Sequence, residues 1–225
     1  MTRRWETAIV AICLAVSGLV ALAIVFGGTA TYEAIMRDHA PVTFRVVAGD
    51  AIPRTDPIDL GALAGWHNGW FAYVTGDGDR APLSFGAVVF TAAEYAHMAD
   101  VRHLFIGARI VAIVAAVVAA LLILRAARRG RRAAVVLARD AAIAAGVGTA
   151  IIAVAAAVAF DPLFLLFHEV FFPQGNFLFP ANSNLLAMYP DPYWYGVTLR
   201  VGLTFVAATA VIAIGAAATL RRARR

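Results

Sequence analysis

Long apolar runs alternate with polar segments along this chain, and four of the runs are long enough to cross a bilayer. They cover about 8–28, 104–124, 141–160 and 197–220. The hydrocarbon core of a membrane takes about 20 residues of helix. In lipid the backbone must satisfy its own hydrogen bonds, so such runs are helices. The pattern predicts an all-α membrane protein of four transmembrane helices, a single membrane domain over 1–225. An extracytoplasmic region of mixed structure, 30–103, joins the first two helices, and an interfacial loop, 161–196, joins the last two.

The connecting segments carry weaker patterns. VTFRVV at 42–47 reads as a short strand. IPRTDP and TGDGDRAP carry turn chemistry. The stretch 91–103, TAAEYAHMADVRH, has helical spacing, opens on a threonine and leads directly into the second span. The 161–196 segment is apolar and aromatic but broken by five prolines. Aromatic rings favour the membrane–water interface, so this loop is expected to lie in it or dip back into it.

Composition agrees with a lipid solvent. Hydrophobic residues make up 62% of the chain and charged residues 15%, against about 45–50% and 25% in soluble domains. Mean hydropathy is +0.78. The net charge is +5, and every basic residue is arginine. A basic chain suggests nucleic acid, but these arginines flank apolar runs and no aromatics interleave with them. They read as topology signals instead. Arg3, Arg4, Arg125, Arg128, Arg129, Arg131, Arg132, Arg139, Arg221, Arg222, Arg224 and Arg225 fall on one side of the membrane. The segment 30–103 has five arginines against nine acidic residues, and 161–196 has no arginine and three acidic residues. The positive-inside rule places both termini in the cytoplasm. The first span, preceded by Arg3-Arg4, exceeds the roughly 7–15 residues of a signal-peptide core and is expected to be retained. The single cysteine, Cys13, rules out an internal disulfide, and Ile12 before it is too bulky for a lipoprotein cleavage box.

All five histidines, His39, His67, His97, His103 and His168, fall on the arginine-poor side. His97 precedes the second span by about seven residues and His168 follows the third by about eight, so both are expected near the outer membrane surface. Imidazole moves protons near neutral pH, and a pair at one lipid-facing cleft can serve as base and acid on an acyl ester. Ordinary interfacial histidines are the plainer reading. Glu94, His97, Asp100 and Val101 share one helix face, where Asp100 can orient the His97 ring or remain a solvated charge. A metal would need at least three converging ligands, and HExxH is absent. Arg109 and Arg200 lie inside the second and fourth spans, where charge is costly. They can grip a lipid phosphate or carbonyl, or snorkel to the surface. Arg139–Asp140 reads as a local pair near the headgroups. Ser183 lacks a G-x-S-x-G setting. Gly146 and Gly148 read as helix-packing positions.

Two stretches look familiar. The segment 68–105 contains E-x-x-H-M-x-D-V at Glu94–Val101, and 167–190 contains F-H-E-V-F-F at Phe167–Phe172. Together they resemble a bacterial family of four-span integral membrane proteins that includes the lipoprotein intramolecular transacylases. The resemblance implies a membrane acyltransferase of the bacterial cytoplasmic membrane. Such an enzyme moves an acyl chain from the glyceryl ester of a diacylated lipoprotein to its N-terminal cysteine amine, with membrane lipid around it and no cofactor. The family's two functional histidines fall on His97 and His168; by their own positions Asp100, Arg109 and Arg200 are the candidate substrate-binding residues. Where the pattern expects a tryptophan and then an acidic residue, this chain has Phe177 and Asn184. The alternatives are a non-catalytic integral membrane protein of the same fold, with a lipid-binding or assembly role, and a metal-dependent lipid hydrolase.

Overall fold

The computed structural model describes residues 3–46, 54–78 and 90–223. In chain order the elements are α1 (Arg3–Phe26), α2 (Thr29–Met36), β1 (Val42–Val46), β2 (Arg54–Ile58), α3 (Leu60–Thr75), α4 (Ala92–Arg128), α5 (Arg131–Val158), α6 (Phe160–Phe171), α7 (Asn184–Met188) and α8 (Asp191–Arg222). Helices α1, α4, α5 and α8 are long and apolar enough to cross a membrane. The chain is a multi-pass membrane protein with four spanning helices.

The helices outrun the apolar windows that reveal them. The 37 residues of α4 reach about 55 Å at 1.5 Å per residue, well beyond a hydrocarbon core. The expected helix over 91–103 is the beginning of α4, continuous with the span. The arginine-rich stretch between the second and third spans is also helical, apart from a turn at Arg129–Gly130. Arginine is a good helix former, so the helices continue beyond the apolar windows.

Contacts divide the chain into two compact units. The first comprises Met1–Ala23, Ala108–Val158 and Thr198–Arg225. Its buried cluster sets Val10, Ala11 and Cys13 of α1 with Ala115, Ala119 and Ala126 of α4, Leu137, Ala141 and Ala145 of α5, and Phe205 of α8. Small residues let membrane helices approach closely. A Cβ on Gly146 would lie 2.5 Å from Thr209 Oγ1, whereas one on Gly148 meets nothing within 4 Å. Of the two glycines read as packing positions, Gly146 alone is one, because Gly148 falls on the exposed face of α5. At one end of this unit Glu6, 1% exposed, accepts two hydrogen bonds from Arg129, at 2.9 and 2.6 Å. Arg139 and Asp140 form the expected local pair at 2.7 Å.

The second unit comprises Ile24–Gly107 and Ala159–Val197. Its core gathers Tyr32 and Met36 of α2, Phe44 of β1, Leu63, Trp70 and Val74 of α3, Met98 of α4, Leu185 and Met188 of α7, and Tyr193 of α8. The expected strand at 42–47 is β1, observed to Val46; Val47 lies outside the described residues. The turn reading of IPRTDP is corrected where it is described, since Arg54–Ile58 pairs antiparallel with β1 and sets Pro57 opposite Thr43. In a two-stranded sheet each strand keeps a free edge, where proline is tolerated. Gly76, in TGDGDRAP, ends α3 with φ +85°, a conformation glycine adopts without strain. The rest of that motif beyond Gly78 lies outside the described residues. The prolines of 161–196 do not leave it a plain loop. Pro162 and Pro192 stand in the first turns of α6 and α8, where no intrahelical partner is lost.

Candidate active site

His97 is placed by the way α4 begins. Thr91 and Glu94 form a capping box, in which Thr91 Oγ1 accepts from the Glu94 N–H at 3.3 Å and the Glu94 carboxylate accepts from the Thr91 N–H at 2.6 Å. The other oxygen of Glu94 accepts from Ser183 Oγ and from the Leu185 N–H at 3.0 Å. Thr91 Oγ1 also donates to the carboxylate at 3.0 Å, so Glu94, 2% exposed, is met by four donors and ties the start of α4 to the start of α7. One turn later His97 emerges on the same face, 7% exposed.

His168 comes from α6, an apolar helix none of whose residues is buried. Its Nδ1 lies 2.8 Å from the carbonyl oxygen of Phe164. A carbonyl only accepts, so Nδ1 carries the hydrogen and Nε2 of the neutral ring keeps its lone pair. The helix stops soon after, at Phe172, whose N–H donates to the His168 carbonyl at 2.7 Å.

The two imidazoles face each other. Their centroids are 6.2 Å apart with planes 21° from parallel. Phe172 packs on both, 4.9 Å from His97 and 5.6 Å from His168. Phe179 adds an edge contact to His97 at 5.5 Å. Phe164 and Phe177 lie 4.3 and 5.1 Å from His168. Nδ1 of His97 is buried without a hydrogen-bond partner. A buried ring nitrogen left unpaired is costly. The two imidazoles thus sit together among phenylalanine rings.

Asp100, one turn beyond His97, is joined to the segment after α6. Its Oδ2 accepts from Gln174 Nε2 at 2.9 Å and from Asn176 Nδ2 at 2.5 Å. Sequence reading missed Gln174, Asn176 and Phe172, because single amides and a phenylalanine among many carry no signal by spacing. Phe177 stands where a tryptophan was expected and still supplies a ring against His168. Asn184 stands where an acidic residue was expected; it donates to the Arg45 carbonyl and accepts from the Arg45 N–H, both at 2.7 Å. A carboxylate could not make both bonds. Arg109 and Arg200 are exposed and belong to the first unit. Ser183 caps α7 by accepting from the Leu186 N–H at 3.3 Å, a structural role.

Of the other histidines, His39 and His103 are exposed. His67 is a core group. Its Nε2 donates to the Gly27 carbonyl at 2.9 Å, and its Nδ1 lies 3.1 Å from the Tyr189 hydroxyl. Its ring stacks on Tyr32 at 4.2 Å. Burial pushes its pKa down to about 4, against the smaller opposing effect of the Gly27 bond. Among the described residues no group of three or more His, Cys, Asp or Glu side chains converges as a metal site would require.

The fold is that of known membrane proteins. The solved structure of the membrane-integral lipoprotein intramolecular transacylase Lit from Bacillus cereus superposes with a TM-score of 0.79, over 99% of this chain and 97% of that one, at 14% identity. A histidine-to-alanine variant of that protein gives 0.73 over 99% and 95%, also at 14% identity. At such identity the likeness concerns the fold. Among curated proteins none matches the chain significantly. The sequence profile of the family described as lipoprotein intramolecular transacylase Lit matches residues 8–194. That stretch takes in both histidine motifs and all but the fourth span, and by it the chain belongs to the Lit family of lipoprotein intramolecular transacylases.

Proposed function

We propose that this protein transfers an ester-linked acyl chain from the glyceryl group of a diacylated lipoprotein to the α-amine of its N-terminal cysteine. His97 and His168 act as the acid–base pair. The carrying observation is the pair itself, two imidazoles 6.2 Å apart in an aromatic recess. An N-terminal amine has a pKa near 8, so it enters partly protonated and reacts once neutral. As its nitrogen attacks the ester carbonyl, one histidine takes a proton from nitrogen. As the C–O bond breaks, the other gives a proton to the departing glyceryl oxygen. An amide and a free hydroxyl result, and no outside energy is needed because the amide is the more stable linkage. Acid–base assistance of this kind contributes about 10²–10⁴-fold. Holding amine and ester together contributes further, because donor and acceptor belong to one molecule.

The apolar helix α6 would lie against the acyl chains, and Arg109 or Arg200 would meet phosphate or carbonyl groups of the substrate. The arginine distribution supports a bacterial cytoplasmic membrane location with both termini inside. A periplasmically active reporter placed after residue 225 should therefore stay inactive.

The test is mass spectrometry of lipoprotein N-termini in a host lacking the activity. The unmutated protein should convert diacyl to lyso form. His97→Ala and His168→Ala should leave the diacyl form while still accumulating in the membrane. Full conversion by either variant would remove that histidine from the mechanism. No conversion by the well-expressed unmutated protein would favour a non-catalytic role.

A further inference from the structure

We propose that Asp100 is a positioning residue that pins the turn after α6 to α4 and so fixes how His97, His168 and their phenylalanine neighbours sit together. Its effect on rate rests on the acid–base reading above.

The turn has a local cause. Phe172-Pro173-Gln174-Gly175 closes with the Gly175 N–H donating to the Phe172 carbonyl at 2.9 Å. Proline is favoured at the second place of such a turn and glycine at the fourth. Gly175 takes φ +74°, which glycine adopts without strain. The amides on either side of it, Gln174 and Asn176, reach one carboxylate. Asp100 Oδ2 accepts from Gln174 Nε2 at 2.9 Å and from Asn176 Nδ2 at 2.5 Å. Gln174 Nε2 also donates to Asn176 Oδ1 at 3.2 Å, so the two amides brace each other. An ionised carboxylate only accepts, and so takes both donors at once; its charge strengthens the bonds.

Asp100 stands one turn from His97 on α4. The pinned segment starts where α6, the helix that bears His168, stops. The bonds therefore join the two elements that supply the imidazoles. They also fall among the rings that touch them. Phe172 precedes the pinned amides and contacts both histidines. Phe177 and Phe179 follow, against His168 and His97 respectively. Residues 172–179 lie outside helix and strand, where chain is more mobile, so side-chain bonds are needed to hold those rings in place. Such a role differs from a substrate contact by Asp100. Contact with the substrate amine would need the charge, whereas positioning needs only an acceptor at that point.

The test is NMR of the full-length protein labelled with 13C-histidine, in detergent, at about pH 8.5, roughly two units above the ordinary imidazole pKa, so that neutral rings are compared. Peaks are assigned through His97→Ala and His168→Ala. Aromatic neighbours displace imidazole signals, so the signals report the packing. Asp100→Ala and Asn176→Ala should each move the His97 and His168 signals. The double variant should move them little further than Asp100→Ala, because the two changes remove one shared link. Asp100→Asn keeps a carbonyl oxygen for both amides and should leave the signals in place. In the transacylation assay Asp100→Ala should lower kcat by about 10–10²-fold, as a small misplacement of reacting groups does. Asp100→Asn should recover to within about threefold of the unmutated rate, since the acceptor is kept. Unmoved histidine signals in both alanine variants would overturn the proposal. So would an Asp100→Asn protein as slow as Asp100→Ala, which would assign the charge of the carboxylate to the substrate amine. If the unmutated protein converts no lipoprotein, the transacylase reading fails, while the NMR signals still decide whether Asp100 pins the turn.

Discussion

The carbonyl oxygen of Phe164 accepts a hydrogen bond from Nδ1 of His168, 2.8 Å away and one turn along α6. That bond leaves Nε2 of a neutral ring with its lone pair, the nitrogen that the proposed mechanism would use. Helix α6 contributes no buried residue, so His168 can be changed without opening a core.

His168→Gln should therefore lose transacylation by about 10²–10⁴-fold. Its thermal midpoint should stay within about 2 °C of the unmutated protein, as surface changes cost about 0.5 kcal/mol or less. His97→Ala removes a ring packed between Phe172 and Phe179 and should lose both activity and several degrees. Mass spectrometry of the lipoprotein product and differential scanning fluorimetry in detergent separate the two. A collapse of His168→Gln in fluorimetry would show that α6 carries more of the fold than its exposure indicates.

Glu94 is the most heavily bonded side chain near the site. Glu94→Ala strands the N–H groups of Thr91 and Leu185 and the hydroxyl of Ser183. Unsatisfied buried donors cost about 1–3 kcal/mol each. We expect a loss of at least about 2 kcal/mol and a midpoint lowered by about 4–8 °C. Activity should fall with it, because α4 and α7 are no longer fastened one turn from His97. A variant with an unchanged midpoint would contradict the capping-box account.

His67 makes stability depend on pH. Its folded pKa of about 4 lies below the unfolded value of about 6.5. Between those values the unfolded chain binds the proton and the folded one does not. Stability from the neutral ring is thus present above about pH 6.5 and lost as pH falls toward 4, with a slope of up to about 1.4 kcal/mol per unit. Thermal midpoints from pH 7.5 to 4 should fall more steeply for the unmutated protein than for His67→Phe, which cannot take up the proton. Parallel curves would contradict the assignment.

Gly146 and Gly148 sit two residues apart on α5 and should respond oppositely. A methyl at 146 meets Thr209 Oγ1 at 2.5 Å. That hydroxyl is already tied back to the Phe205 and Val206 carbonyls, so it cannot easily yield. Gly146→Ala should cost roughly 1–3 kcal/mol through overpacking. At Gly148 there is open space, and alanine should be neutral or gain up to about 1 kcal/mol from helix propensity. Equal midpoints for the two variants would refute the packing described for α5 and α8.

The sequence by itself determined the four spans and marked the two histidine motifs. Each span is visible because lipid demands about 20 consecutive apolar residues, a requirement local to one segment. The histidine motifs were legible through their neighbours, E-x-x-H-M-x-D-V and F-H-E-V-F-F, which also mark the family. Helices α2 and α3 escaped notice because their apolar residues face a shared core. Helix α3 also carries Gly61, Gly65 and Gly69, each a weak helix former. Only the tertiary structure decided that His97 and His168 stack 6.2 Å apart, that Asp100 is held by Gln174 and Asn176, and that His67 is a neutral core group. It also decided that Gly146 packs and Gly148 does not. These depend on which segments meet and in what rotational phase. A sequence states the periodicity of one helix, and the partner its face receives is set only when the chain has closed on itself.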